Sequence, residues 1–102
     1  MIEENKTENK TIRSNKGEPF KIRLWEDRTR GSRWSPSYDA TMVKLLSDHY
    51  ERTQNIRVTD TGMRYFEFVG IKSGRHEIAL ELRYGWKFSA EDRLYYQVEI
   101  VE

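Results

Sequence analysis

Apolar side chains recur at every second position in several separate stretches of this 102-residue chain, and this spacing most restricts its fold. The pattern is clear at residues 20–24, 66–68, 76–82 and 94–100. Successive side chains of a β-strand point to opposite faces, so such a stretch has one buried and one solvated face. No long stretch holds a sustained helical period of apolar residues. The sequence therefore predicts an all-β protein.

Weaker segments supply the remaining strands. Residues 41–46 form a short apolar run that favours a strand but leaves a helix open, and residues 50–58 indicate a weak strand. The glycine-, serine- and proline-containing stretch before residue 41 is expected to be irregular, and residues 83–93 a long connection. The Lys-Ser-Gly sequence at 72–74 is typical of a hairpin turn. About six or seven short strands result, a number that favours a β-sandwich.

A chain of this length has room for one domain with a modest core. We expect that domain to span residues 17–102 and residues 1–16, which hold few apolar side chains, to form a flexible leader. Asn5 and Asn9 match the glycosylation acceptor pattern. The predicted core contains Phe20, Ile22, Leu24, Val43, Leu45, Phe66, Phe68, Ile78, Leu80, Leu82, Val98 and Ile100.

Composition removes several functional classes. The 18 basic and 17 acidic residues nearly cancel, so no global field attracts nucleic acid or an anionic membrane. Without cysteine the chain has no disulfide, no thiolate nucleophile and no cysteine-bound metal. No apolar run approaches the roughly 20 residues that a membrane span requires. No membrane span, metal or cofactor is expected.

Catalysis is not expected either. The general-base candidates with a suitable pKa are His49 and His76. His76 lies in an alternating strand, as a structural residue would. His49 adjoins Asp48, but one histidine with one carboxylate lacks the ligand number of a zinc site.

Arginines interleaved with tryptophans could form a platform for single-stranded nucleic acid, since bases stack on indole and arginine pairs with phosphate. Acidic residues in the same stretch, and a core position for one tryptophan, favour a different role. Nucleic acid is therefore not an expected partner. The residues concerned are Arg23, Trp25, Arg28, Arg30, Arg33 and Trp34.

Recognition by loops is the remaining function, because strands of a sandwich commonly serve as a rigid support for binding loops. Three segments contain glycine and each follows a predicted strand, namely residues 27–33, 59–63 and 84–88. Whether they share one end of the sandwich depends on the topology, which the pattern alone leaves open.

The order and spacing of these features resemble the chagasin-type inhibitors of papain-like cysteine proteases, from about Gly17 to the C-terminus. Members typically carry an Asn-Pro-Thr-Thr-Gly loop with a tryptophan three residues later. Here the loop is Asp27-Arg28-Thr29-Arg30-Gly31, and Trp34 keeps that spacing. Similar motifs follow at 59–62 (Thr-Asp-Thr-Gly), 66–68 (Phe-Glu-Phe), 72–74 (Lys-Ser-Gly), 78–80 (Ile-Ala-Leu) and 84–86 (Tyr-Gly-Trp, against Arg-Pro-Trp in the family).

The resemblance implies an immunoglobulin-like sandwich of about seven strands that inhibits a papain-like protease reversibly and noncovalently. Its three loops would enter the active-site cleft, with Thr29 near the catalytic cysteine and Trp86 as an aromatic anchor. The protease-binding residues it implies are Arg28, Thr29, Arg30, Gly31, Asp60, Thr61, Gly62, Tyr84, Gly85 and Trp86.

The altered loop residues keep a second function open, a noninhibitory immunoglobulin-like interaction or adhesion module. A monomer is expected in either case. The resemblance also implies a secreted, periplasmic or cell-surface location.

Overall fold

The computed structural model describes residues 8–29, 31–53, 60–84 and 92–102. Seven β-strands make up most of these residues. No helix occurs in these ranges, and so none that could cross a membrane. The prediction of an all-β protein is confirmed. The strands are β1 (Glu8–Asn15), β2 (Pro19–Asp27), β3 (Ser32–Ser37), β4 (Val43–Arg52), β5 (Thr61–Gly70), β6 (Gly74–Tyr84) and β7 (Asp92–Val101).

The strands form two sheets whose inward side chains share one core. One sheet has four strands in the order β1-β7-β6-β3, and the other has three in the order β2-β5-β4. All pairs are antiparallel except β1 with β7, which is parallel. This is the predicted sandwich.

The core confirms the alternation on which the strand predictions rest. All predicted core residues are buried except Phe20, Leu45 and Leu82, which pack against its margin. Trp34 and Tyr96 complete it. Burial of so much apolar surface is the main stabilising contribution, at roughly 25 cal/mol per Å².

The predicted hairpin at residues 72–74 is wrong. The strands on either side of it, β5 and β6, belong to different sheets, so this turn crosses from one sheet to the other. Both strands carry strongly apolar inner faces, and these faces meet across the core. The hairpin partner of β6 is β7, across the connection that the sequence suggested was merely long.

Two strands occur where irregular chain was expected. β3 contains Trp34 and Ser32 as buried residues alternating with exposed ones, and it tolerates Pro36 because it is an edge strand. β1 lies within the expected leader, so the prediction that order begins near Gly17 is wrong for its residues. Ile12 packs against the core while the β1 backbone pairs with β7. Residues 1–7 lie outside the described residues.

The predicted strand segments at 41–46 and 50–58 both contribute described residues to one strand, β4, which contains a bulge between Leu45 and Ser47. Residues 54–58 lie outside the described residues. Val43 and Leu45 face the core before the bulge. After it, the residues paired with the inward side chains of β5 are Asp48 and Tyr50. The extra residue therefore reverses which side chains of β4 face inward.

Replacing Ile12 by aspartate tests whether β1 is part of the folded core. We expect Ile12→Asp to lower the unfolding free energy by about 1–3 kcal/mol, because a carboxylate would replace a side chain packed against apolar neighbours. Thr11→Asp, at the exposed neighbouring position, is the matched control and should change stability little. Equal effects in urea denaturation would contradict the assigned position of β1.

Candidate functional site

The described ends of the three predicted binding segments lie at one end of the sandwich. Chain connectivity places residues 28–31 between β2 and β3, residues 53–60 between β4 and β5, and residues 85–91 between β6 and β7. Asp27 is paired with Thr61 where β2 and β5 meet these connections. In the other sheet Ser32 is paired with Tyr84. We call this region the loop end.

Direct hydrogen bonds join the first connection to the second. The Arg28 amide donates to the Asp60 carbonyl at 2.7 Å, and the Asp60 amide donates to Oγ1 of Thr29 at 2.9 Å. The Thr29 amide in turn donates to Oδ1 of Asp27 at 2.9 Å. Gly31 has a φ of 84°, in the left-handed region that favours glycine. The described parts of the two connections therefore form one hydrogen-bonded unit.

Further contacts of side chains stabilise this hydrogen-bonded unit. The Tyr50 hydroxyl donates to Oδ1 of Asp60 at 2.8 Å. The guanidinium carbon of Arg28 lies 3.7 Å from the centre of the Tyr50 ring, close enough for a cation–π interaction. Arg28 also donates from Nε to Oε2 of Glu26 at 2.5 Å. The guanidinium of Arg28 therefore makes contacts within the protein.

A buried ionic network supports the loop end and joins the two sheets. Glu26, on β2, is fully buried and accepts hydrogen bonds from the Trp34 amide at 2.7 Å and from Arg64 at 2.8 Å. Arg64, on β5, also donates to the Trp34 carbonyl at 3.1 Å. Two further bonds, of 2.5 and 2.7 Å, join it to both carboxylate oxygens of Asp48.

The hydrogen bonds of this network determine the ionisation of Arg64. Burial alone would lower the pKa of the guanidinium, but the hydrogen bonds that Arg64 donates to Asp48 and Glu26 outweigh burial and raise that pKa. Arg64 therefore remains a cation, and its charge compensates the buried carboxylate of Glu26.

The structure brings together the predicted site residues that it describes. Arg28, Thr29, Gly31, Asp60, Thr61, Gly62 and Tyr84 all lie at the loop end, whereas Arg30, Gly85 and Trp86 lie outside the described residues.

The predicted loop character of residues 61 and 62 is wrong, because both belong to β5. Gly62 is buried, and a Cβ built there would collide with the carbonyl oxygen of Glu51 on β4. Close packing of strands explains this glycine without any contact to a partner.

Four residues of the site were not anticipated, namely Glu26, Asp48, Tyr50 and Arg64. The alternation along the strands indicates that two of them face inward. Glu26 continues the inward series of β2, and Arg64 precedes Phe66 and Phe68 on the inward face of β5. Asp48 and Tyr50 reach the same region only because of the bulge in β4.

The two histidines make contacts to an aromatic ring and to the backbone. His49 stacks on Tyr65 with ring centres 6.0 Å apart, while Asp48 is bound to Arg64. His76 lies 3.0 Å from the Lys72 carbonyl. No cluster of potential metal ligands occurs among the described residues.

Several solved structures are similar in fold. The cysteine protease inhibitor EhICP2 from Entamoeba histolytica matches with a TM-score of 0.75 at 18% identity, over 92% of this chain and 95% of that chain. Amebosin, in solution, matches with a TM-score of 0.59 at 22% identity, over 92% and 95%. PbICP-C in complex with falcipain-2 matches with a TM-score of 0.62 at 13% identity, over 96% and 92%. Among curated proteins, none matches the chain.

Residues 13–100 match the sequence model described as Chagasin family peptidase inhibitor I42. The chain therefore belongs to the chagasin family of peptidase inhibitors. This confirms the family predicted from the motifs and the prediction of an inhibitor in place of an enzyme.

Glu26 and Glu81 offer a matched test of the buried network, since each binds two arginines. Glu81 contacts Arg83 and Arg93 on the sheet surface. We expect Glu26→Ala to cost about 3–5 kcal/mol of unfolding free energy, because it removes the buried carboxylate to which Arg28, Arg64 and the Trp34 amide donate. Glu81→Ala should cost less than about 1 kcal/mol. Comparable losses in chemical denaturation would contradict the structural importance of the network.

Tyr50 should be recognisable in an alkaline titration. Burial and the hydrogen bond to Asp60 raise the pKa of Tyr50 from 10.0 to about 12. Because the folded-state pKa exceeds the unfolded one, the stabilisation is complete below pH 10 and is lost as pH rises toward about 12. We expect one late-ionising tyrosine in the tyrosinate absorbance, absent in Tyr50→Phe. An unchanged titration curve in that variant would refute the assignment.

Proposed function

We propose that this chain is a reversible, noncovalent inhibitor of papain-like cysteine proteases and that it binds them through the loop end. Family membership supports the inhibitory activity. Of the structural relatives, EhICP2 is a cysteine protease inhibitor and PbICP-C has been solved in complex with falcipain-2. Three loops inserting into the active-site cleft is the binding mode we propose.

The main observation in support of this proposal is that hydrogen bonds join the first connection to the second. Arg28 and Thr29 are both bonded to Asp60 before any partner arrives. A loop that is already held in place loses less conformational entropy on binding, and such preorganisation increases affinity. The buried network behind it, with Glu26 fully enclosed, opposes deformation when the loops contact an enzyme.

Thr29 has a more specific place in this mechanism than the resemblance implied. Its hydroxyl accepts a hydrogen bond from the Asp60 amide, and its own amide is bonded to Asp27. We propose that Thr29 fixes the backbone of the first loop, and that this backbone approaches the catalytic cysteine. Contacts by Arg30, Gly85 and Trp86, with Trp86 as an anchor, remain predictions from the resemblance, as do a monomeric state and an exported location.

An inhibition assay with matched threonine variants tests the proposal. Thr29 follows Asp27 by two residues and donates its amide to that carboxylate; Thr41 has the same relation to Asp39 at the opposite end of the sandwich. We expect Thr29→Arg to raise the inhibition constant at least about tenfold, because a bulky charge would enter the contact surface. Thr41→Arg should inhibit like the wild type.

The assay uses a panel of papain-like proteases and includes Trp86→Ala, which should also weaken inhibition. Wild-type inhibition should be reversible by dilution. Absence of inhibition of every enzyme at high micromolar concentration would reject the proposal and favour a noninhibitory interaction module. Inhibition that is equal in Thr29→Arg and Thr41→Arg would place the contact surface elsewhere.

A further inference from the structure

Three arginines form a cluster on the outer face of the four-stranded sheet, beside the loop end. Arg33 on β3 and Arg83 on β6 are direct cross-strand partners, and Arg93 on β7 is paired in register with Glu81 on β6. Their side chains point away from the core, because the residues that alternate with them, such as Trp34, face inward. We call these three residues the arginine cluster.

Within the described residues, the carboxylate that contacts the arginine cluster is that of Glu81. Glu81 accepts hydrogen bonds from Arg83 at 2.7 and 3.1 Å and from Arg93 at 3.0 Å. It is thus shared between two cations. Arg33 is exposed and makes no hydrogen bond or ion pair with any described residue. Among the described residues, Arg83 and Arg93 thus share one carboxylate, whereas Arg33 has none.

The pairing of Arg33 with Arg83 is unfavourable for the isolated protein, because like charges directly opposite on neighbouring strands repel. The other half of the same sheet lacks this feature, since Arg75 there is paired with Glu99. A local arrangement that opposes stability is often found at a functional site. An acidic partner would remove the repulsion.

The position of the cluster indicates which partner it fits. Arg33 is two residues from Gly31, and at about 3.3 Å per residue this places it within roughly 7 Å of the first loop along the chain. The outer face of the three-stranded sheet near the loop end instead exposes the acidic residues Asp27 and Glu51. Among the described residues beside the loop end, the outer face of the four-stranded sheet is therefore the more basic of the two.

We propose that the arginine cluster is a docking surface for acidic side chains of the target protease, on the rim of the cleft that the loops enter. This inference rests on the proposed inhibitory function. Charges on the rim of an interface mainly accelerate association and determine its dependence on salt, whereas buried contacts control dissociation. The cluster orients the inhibitor as it approaches and adds little to the lifetime of the complex.

The test compares Arg33→Glu with Arg75→Glu, which makes the same charge change at the far end of the same sheet. Association and dissociation rates are measured by surface plasmon resonance, with the proteases of the panel, at several salt concentrations. We expect Arg33→Glu to slow association about three- to tenfold at low salt, with little effect on dissociation and a weaker salt dependence. Arg75→Glu should associate and dissociate at wild-type rates, although it places a glutamate opposite Glu99 and should therefore melt at a lower temperature.

A thermal melt separates this effect from misfolding. Because Arg33→Glu replaces a repulsive pair by an attractive one with Arg83, its melting temperature should equal or exceed that of the wild type. Slower association together with undiminished stability supports the proposal. Equal association rates for the two variants with a protease that the wild type binds would overturn the docking surface alone. No binding of the wild type to any protease would overturn both the docking surface and the proposed function.

Discussion

The carboxylate of Glu26 is fully buried at the point where the two sheets approach the loop end. It accepts hydrogen bonds from Arg28, Arg64 and the amide of Trp34, so that one side chain contacts β5, β3 and the first loop. A buried charge is tolerated only when partners surround it. The geometry of these partners, and with it the position of the first loop, therefore depends on Glu26.

The bulge in β4 is what completes this arrangement. Without the extra residue, strict alternation after Val43 and Leu45 would turn Ser47 and His49 inward and Asp48 and Tyr50 outward. With it, Asp48 neutralises Arg64 and Tyr50 holds Asp60. The same strand thus supplies apolar side chains to the core at one end and polar side chains to the loop end at the other.

The burial of the apolar side chains is predictable from the sequence, whereas the contacts of the polar side chains at the loop end are not. Ile22, Leu24, Phe66 and Phe68 alternate, so their strands and burial follow from period-two spacing. A bulge changes that spacing, and the sequence accordingly predicts two short segments in place of β4. The predicted hairpin between β5 and β6 is wrong for another reason. A short turn can join two strands of one sheet or strands of two different sheets, and only the long-range packing of the two faces decides between these arrangements.

The network also explains how this family member keeps its framework while its loop motifs differ from those typical of the family. Glu26, Arg64 and Asp48 lie on strands beneath the loops, and Arg64 binds the two carboxylates there. Loop substitutions that spare Arg28 therefore leave the bonds among these three strand residues in place. What the loops contact can change while the position from which they make contact is retained.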